Sequence, residues 1–123
     1  MEIYTNIGYD LLDADHTSKK LEDLPRIVPY VLNEDNDIHL DNLSIHKAST
    51  EEDALNLLFI GDTNRVVCET KKNDVSTRSH CIFIIQITSR APNSDVKRVA
   101  RMHLVDLSGS EREFAFSPKL MVS

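Results

Sequence analysis

The feature that most constrains the fold of this chain is an apolar run from Cys81 to Thr88, in which nearly every residue is apolar. A strand of this composition needs cover on both faces, which is typical of the interior of a sheet. A turn cluster at Pro92–Asp95 follows the run, and the segment from Val96 to Leu107 is predicted to be the return strand, with Ala100, Met102 and Leu104 on one face. Together the two segments predict a β-hairpin in the interior of a sheet.

A helix is predicted upstream of the hairpin. Ser49 or Thr50 can cap its N-terminus, because an acidic residue stands three positions after each of them, as in a capping box. An apolar stripe follows, and Gly61 marks the predicted end of the helix. The stripe consists of Ala54, Leu55, Leu57 and Leu58. The polar residues from Asn64 to His80 have no clear period, so they are expected to form a long loop.

Shorter strands are predicted nearer the N-terminus, at Ile3-Tyr4 and at Leu43-Ser44-Ile45. The segment from Ile27 to Leu32 contains Pro29, which removes a donor from the ladder, so this segment is either an edge strand or an extended loop. Residues 14–25 are polar and charged and are expected to form a surface loop.

The composition narrows the classes of protein to which the chain can belong. Of its 123 residues, 41% are hydrophobic and 28% are charged, as in an ordinary folded domain, and the net charge of −6 argues against a dedicated nucleic-acid binder. No apolar run reaches the ~20 residues that span a membrane, and Met1 does not open a signal peptide. The cysteines, Cys68 and Cys81, lack the spacing of a metal or redox pair. We expect a cytosolic protein with neither nucleic acid nor membrane as a partner.

Candidate chemistry begins where the predicted return strand ends. Asp106 lies near that end, and Gly109 stands three residues later. An aspartate at a strand end can hold Mg²⁺, usually through water, and a glycine lets a backbone N–H approach a phosphate closely. Alone, this pair is more simply explained by a strand followed by an ordinary turn.

A second polar group, Asn73-x-x-Ser76-Thr77-Arg78-Ser79-His80, lies just before the first strand of the hairpin. It concentrates hydroxyls, an amide and an arginine. Hydroxyl oxygens suit Mg²⁺ and can position an attacking water. Composition by itself favours a solvated polar loop here, and only the occurrence of both groups in one chain favours a nucleotide site.

Taken together, the two groups resemble a known family. The segment from Asn73 to His80 closely resembles the switch I motif of kinesins, and the segment from Leu104 to Arg112, Leu-Val-Asp-Leu-Ser-Gly-Ser-Glu-Arg, closely resembles kinesin switch II. The hairpin between them has the length of the two kinesin strands that separate the switches. Gly61-x-x-Asn64-Arg65 resembles the end of the kinesin helix that leads into switch I. Glu2-Ile3-Tyr4 and Tyr9-Asp10-Leu11-Leu12-Asp13 resemble a kinesin stretch further upstream.

The resemblance implies a fold of the α/β class: a partial kinesin-type P-loop NTPase domain, with a central mixed sheet and a flanking helix, whose N-terminal and C-terminal parts are missing. Residues 1–112 would be the partial motor domain and residues 113–123 a divergent tail. The family holds phosphates with a loop of the form G-x-x-x-x-G-K-[ST], and none of the chain's three glycines lies in such a motif. Smaller departures are Lys71-Lys72 before switch I, and Ser108, where alanine is usual.

The resemblance also implies which residues bind the nucleotide and its metal. Thr77 and Asp106 match the residues associated with Mg²⁺, and Asn73 belongs with them to the ATP site. The segment around His46 and Lys47 matches a loop that faces the microtubule in kinesins, although an ordinary polar turn explains it as well.

Five further positions match the catalytic residues of the family. By resemblance, Ser76 and Ser79 help to order the attacking water and the phosphate, and Gly109 senses the γ-phosphate. Arg78 and Glu111 match a pair that forms a salt bridge when the two switches close. A guanidinium and a carboxylate can pair in this bidentate way, and phosphoryl transfer depends mainly on positioning and charge stabilisation.

The resemblance therefore implies a fragment of an ATP-dependent microtubule motor, with ATP and Mg²⁺ as cofactors and tubulin as partner. The alternative is a truncated, non-catalytic product that binds tubulin or a motor partner without hydrolysing ATP. A small GTPase-like switch protein shares the Asp-x-x-Gly pattern but not Ser-Thr-Arg-Ser-His. The parent protein is expected in the cytoplasm on the microtubule cytoskeleton, as a homodimer formed through a coiled coil outside this chain. The detailed amino-acid sequence also resembles that of the ciliary and flagellar branch of kinesins.

Overall fold

The computed structural model describes residues 1–32, 34, 36–71 and 79–108. Within these ranges the chain forms a six-stranded sheet, one α-helix and a short 3-10 helix at Leu21–Asp23. The helix, α1, spans Glu51–Lys71. The strands are β1 (Glu2–Tyr4), β2 (Ile7–Tyr9), β3 (Arg26–Val31), β4 (Ile38–Asp41), β5 (His80–Arg90) and β6 (Lys97–Asp106).

The strands lie in the order β4-β3-β2-β1-β5-β6, and each pairing in the described ranges is antiparallel. A two-residue turn joins β1 to β2, since Tyr4 pairs with Ile7. Both turn residues, Thr5 and Asn6, have positive φ, as a turn matched to the twist of a hairpin requires. Strands β2 and β5 are far apart in sequence, and β1 lies between them in the sheet and pairs with both.

The predicted hairpin is confirmed as β5 and β6, whose register runs from Cys81 opposite Asp106 to Arg90 opposite Lys97. The prediction that β5 is covered on both faces is wrong for the described residues. Its first half, through Ile85, is only half-buried, and every residue from Gln86 to the end of β6 is exposed apart from the half-buried Ser94 of the turn. The described part of the chain has one α-helix and too few packing elements to cover both faces of such a long ribbon.

The buried apolar side chains lie around β2, β3 and the turns next to them. They are Tyr9, Leu11, Leu24 and Ile27. Helix α1 approaches this core at Gly61, where an added Cβ would lie 3.8 Å from Leu11 Cβ and 3.9 Å from Leu12 Cδ2. The side-chain amide of Asn64 donates a hydrogen bond to the carbonyl of Leu11 at 2.7 Å. The helix is thus attached to the core at Asn64, within its C-terminal half.

The N-terminus of α1 follows the predicted capping box. Thr50 Oγ1 accepts from the backbone N–H of Asp53 at 3.1 Å, while the Asp53 carboxylate accepts from the N–H groups of Ser49 and Thr50 at 3.0 and 3.1 Å. Thr50 is therefore the cap, and the helix begins at Glu51. The hydrogen bonds from Ser49 and then Thr50 hold the pKa of the Asp53 carboxyl below its usual value.

The C-terminal end of α1 differs from the prediction. Gly61 does not end the helix, which continues to Lys71, and the residues from Asn64 to Lys71 are helical rather than part of a loop. A glycine inside a helix costs only about 1 kcal/mol relative to alanine. The hydrogen bond from Asn64 to the Leu11 carbonyl holds the helix to the core beyond Gly61 and helps to offset that cost.

Two further strand predictions need correction. Leu43-Ser44-Ile45 is not a strand: β4 lies earlier, and Asn42, with φ of 61°, ends it. The N–H of Ser44 donates instead to the buried carboxylate of Asp10 at 2.8 Å. The proline-containing segment is a strand, β3, but it lies inside the sheet order. Its pairing with β2 ends at Ile27, so within the described ranges Pro29 has a strand neighbour on one side only, where proline is tolerated.

Candidate functional site

Of the eight candidate site residues, the structure describes Ser79 and Asp106. The other six lie outside the described residues: Asn73, Ser76, Thr77, Arg78, Gly109 and Glu111. The ends of the two switch-like segments are nevertheless both visible, because Ser79 lies next to the start of β5 and Asp106 is the last residue of β6. In an antiparallel hairpin these two positions fall at the same end.

Ser79 is nearly inaccessible, with an exposed fraction of 2%. Its hydroxyl has no hydrogen-bond partner among the residues that the structure describes. A buried hydroxyl left in this condition costs about 1–3 kcal/mol. The side chain that the resemblance assigns to ordering water and phosphate is thus a buried hydroxyl without a partner in the part of the chain that the structure describes.

Asp106 pairs with Cys81 in the ladder, and Cys81 stands two residues after Ser79 in the sequence. Its side chain is largely exposed, at 72%. A carboxylate is a hard oxygen donor of the kind that Mg²⁺ prefers, so its chemistry fits the assignment to the metal. The described residues contain no group of three His, Cys, Asp or Glu side chains that could hold a metal ion between them. Any Mg²⁺ here would need Thr77 or other ligands, such as water or phosphate.

One arginine joins the two motif ends. Arg65 Nη1 donates to Asp106 Oδ2 at 2.9 Å, and Arg65 Nη2 donates to the backbone carbonyl of Ser79 at 3.1 Å. The guanidinium can do both because its donors form a planar fork. Since the Asp106 carboxylate is mostly exposed, the ion pair itself contributes little stability, about 0–1 kcal/mol. The value of the contact is geometric: it fixes α1, the start of β5 and the end of β6 relative to each other.

Because α1 continues beyond Gly61, it places Arg65 beside Ser79 and Asp106. Asn64, the residue before it, binds the Leu11 carbonyl, so two successive side chains anchor the helix to the core and to the motif ends. Sequence reasoning included both residues in the family resemblance but assigned neither a role. The signal that pointed to them was the pattern Gly61-x-x-Asn64-Arg65 itself.

A histidine adds a second link at this end of the hairpin. The backbone N–H of Ser108 donates to His80 Nδ1 at 3.0 Å, and Ser108 Oγ lies 3.3 Å from the same nitrogen. Both residues are half-buried. The chain just beyond Asp106 is thereby held to the start of β5.

The loop predicted to face a partner lies at the opposite end of α1. His46 and Lys47 border an open depression of about 360 Å³, together with Asp53, Asn56 and Leu57. His46 Nε2 lies 2.8 Å from Ser44 Oγ. The lining of the depression mixes positive, negative and polar side chains, which fits an ordinary solvated surface as well as a contact site.

In the described ranges, no helix is both long and apolar enough to cross a membrane.

Comparison with known proteins gives a consistent result. The family model described as "Kinesin motor domain" matches residues 1–117. The human kinesin-like protein KIF9 is 37% identical over 119 residues, which cover 91% of this chain and 14% of that protein. The kinesin-like protein KIP3 of Saccharomyces cerevisiae is 36% identical over 120 residues, covering 94% and 14%.

A solved structure described as "kinesin 6" superimposes on the chain with a TM-score of 0.68 and 29% sequence identity. The match covers 92% of this chain and 32% of the solved chain. The resemblance and the α/β fold class expected from the sequence are confirmed, while the chain spans only a small part of these relatives. The predicted division at residue 112 stays a prediction.

Proposed function

This chain belongs to the kinesin motor domain family, and on that premise we propose that it is a segment of an ATP-dependent microtubule motor. In this proposal, hydrolysis of ATP in the complete protein drives movement along microtubules. The protein acts in the cytoplasm on the microtubule cytoskeleton, with the cilium or flagellum as a finer hypothesis. Tubulin is its partner, and a coiled coil outside residues 1–123 joins two copies.

The observation that carries the proposal is the double contact of Arg65. In nucleotide-dependent switch proteins, contacts with the γ-phosphate order two switch segments, which are released on hydrolysis. Here one guanidinium binds the last residue of β6 and the residue before β5, and it extends from the helix that precedes them both. This shared contact supports the proposal that the ends of the two motifs respond together to the nucleotide.

Asp106 and Thr77 would hold Mg²⁺, and Asn73 would complete the nucleotide site. The metal, when bound, neutralises charge on the phosphates. The buried Ser79 hydroxyl supports a role in orienting water or phosphate, because it has no partner among the described residues. Ser76 shares that role.

Three other residues complete the proposed mechanism. The amide of Gly109 meets the γ-phosphate, and the absence of a side chain there allows a close approach. Arg78 and Glu111 pair when the switches close and hold the geometry in which water attacks. These three assignments are supported by their positions in the two motifs alone.

The alternative function is also supported by a specific observation. Residues 1–123 contain no G-x-x-x-x-G-K-[ST] sequence, so they lack the backbone cradle and lysine that hold the phosphates in this family. We expect residues 1–123 on their own to hydrolyse no ATP. A product restricted to them would act, if at all, by binding tubulin or a motor partner.

The test is microtubule-stimulated ATPase activity of the longest natural protein that contains this chain. We expect stimulation in the unaltered protein and a loss of about 100-fold in kcat for Asp106→Asn, because loss of a metal-associated group or its support typically has effects of 10–100-fold. The matched control is Asp95→Asn, an exposed aspartate in the turn at the other end of the hairpin. No stimulation in the unaltered protein would favour the non-catalytic alternative.

A further inference from the structure

The link between His80 and Ser108 begins where the backbone ladder of the hairpin stops. The last backbone pair of β5 and β6 is Cys81 with Asp106. On its other side, β5 is held by β1, since Ile3 pairs with His80. The His80 backbone is therefore fixed within the sheet, and its ring reaches Ser108, two residues beyond the ladder.

The chemistry of this contact assigns a role to one ring nitrogen. A backbone N–H can only donate, so His80 Nδ1 must carry a lone pair, and the proton of the neutral ring lies on Nε2. The nitrogen thus takes the place of the strand carbonyl that the Ser108 amide would meet if the ladder continued. The Ser108 hydroxyl, at 3.3 Å, brings a second donor to the same acceptor.

We propose that His80 is a positioning residue for the proposed site, which fixes the backbone at Ser108, two residues after the strand-end Asp106 and directly before Gly109 in the sequence. This inference rests on the proposed function, because it concerns the same site. Asp106 lies two residues before Ser108 and Gly109 directly follows it. An amide that must meet a phosphate depends on where the preceding residue is held.

His80 and Arg65 act on different atoms of the same segment. Arg65 binds the side chain of Asp106, which leaves the backbone direction after Asp106 undetermined. His80 binds the backbone of Ser108 and removes that freedom. The hydroxyl of Ser108 is a feature of this chain, since alanine is usual at this position in the family. It reinforces the link without being required for it.

The first experiment compares three variants of the longest natural protein that contains the chain, by microtubule-stimulated ATPase. His80→Ala removes the acceptor and is expected to lower kcat about 10-fold, as for other groups that orient catalytic ligands. His80→Asn retains an acceptor oxygen near the position of Nδ1 and is expected to restore kcat to within about 3-fold. The control is His103→Ala, an exposed histidine on β6, with unchanged activity expected.

A second experiment removes only the donor, so that it does not depend on how well the ring variants fold. Ser108→Ala keeps the backbone N–H and is expected to lower kcat about 2-fold. Lactic acid at the same position has the side chain of alanine but an ester oxygen in place of the N–H. We expect a further loss of about 10-fold relative to Ser108→Ala.

The outcomes separate the inference from the function on which it rests. If the unaltered protein shows no stimulated ATPase, the proposed function fails first. If that activity is present but His80→Ala or the ester retains it fully, the positioning role of His80 is overturned and the proposed function stands. Failure of His80→Asn to restore activity also contradicts the role, since the acceptor would then not be the property that matters.

Discussion

The two ends of the β5–β6 hairpin share one backbone ladder but differ in what surrounds them. At the switch end, the residues from His80 to Ile85 are half-buried, β1 pairs with β5, and side chains of Arg65 and His80 connect the strands to α1 and to each other. At the turn end, the strand residues from Gln86 to Lys97 and beyond are exposed.

In the exposed part of the ribbon, Arg101 provides side-chain contacts among the described residues. Arg101 donates to Gln86 Oε1 at 3.3 Å and to Asp37 Oδ2 at 2.5 Å. The second contact joins β6 to the residue before β4, although these strands lie at opposite ends of the sheet order. Strand pairing alone therefore does not order a site, because the switch end differs from the turn end by the helix and the third strand that meet there.

The largest expected effect concerns the exposed part. Residues 1–123 in isolation should be unstable or aggregate, because apolar side chains such as Ile87, Val99 and Met102 are more than half exposed along the ribbon. Size-exclusion chromatography and thermal unfolding of the purified chain test this expectation. A monomeric chain with a sharp cooperative melt would contradict it, and would show that the ladder alone supports the hairpin.

The next effect concerns the switch end directly. Arg65→Ala should lower the stimulated ATPase kcat of the longest natural protein about 10–100-fold, because α1 and the two motif ends lose their common contact. Arg65→Lys should recover only part of that loss, since an ammonium lacks the planar fork that reaches both acceptors. Steady-state kinetics measure both.

The matched control for Arg65 is Arg101→Ala in the exposed part of the ribbon. It removes an arginine of similar ion-pair geometry away from the motifs and should leave kcat within about 2-fold, because surface ion pairs contribute little. Equal losses for the two arginines would show that the difference between the ends has no functional meaning.

A smaller effect distinguishes two glycines of the core. Alanine at Gly8 would place its Cβ 3.2 Å from Ile27 Cβ, an atom attached to the backbone of the paired strand, so Gly8→Ala should destabilise the fold by about 1–3 kcal/mol. At Gly61 the nearest atoms lie at ordinary contact distance, and a helix interior favours alanine. Gly61→Ala should therefore stabilise by about 0.5–1 kcal/mol.

Denaturant unfolding of the longest natural protein, with both variants at fixed temperature, tests the sign of each change. A destabilising Gly61→Ala would mean that the helix needs a closer approach to Leu11 than the distances indicate. A neutral Gly8→Ala would mean that β2 and β3 can separate by a few tenths of an ångström without loss.

The smallest effect is a pH dependence of the exposed part. The hydrogen bond from Arg101 holds the pKa of the Asp37 carboxyl below its usual value. A carboxyl whose folded pKa is lowered adds stability at pH above its unfolded pKa, and that stability is lost as pH falls through the folded value. The difference in melting temperature between the unaltered protein and Asp37→Asn should therefore shrink on acidification, and a constant difference would contradict the pairing.

Local rules account for the parts of the fold that were predicted correctly. The capping box at Thr50 needs only residues within one helical turn, and the hairpin needs two apolar runs and a turn between them. The incorrect predictions share a different cause. Gly61 appeared to end a helix because its packing partner, Leu11, lies far away in the sequence.

The same cause explains what was missed at the site. Arg65 and Asp106 are 41 residues apart, and no sequence period connects them. Asp10 and Ser44 are 34 residues apart. Their hydrogen bond holds the segment Leu43-Ser44-Ile45, which the alternation of apolar and polar residues predicts to be a strand. Contacts of this range depend on where the elements pack, so propensity and pattern do not contain them.

The family, the two motifs, the hairpin that separates them and the N-terminal cap of α1 could all be predicted from the sequence, because each follows from neighbouring residues or from a motif carried in the chain. Three features are visible only in the folded chain: the extension of α1 to Lys71, the contacts of the Arg65 guanidinium with Ser79 and Asp106, and the link between His80 and Ser108. These depend on the convergence of a helix and three strands at one end of a ribbon, and convergence is a property of packing in space.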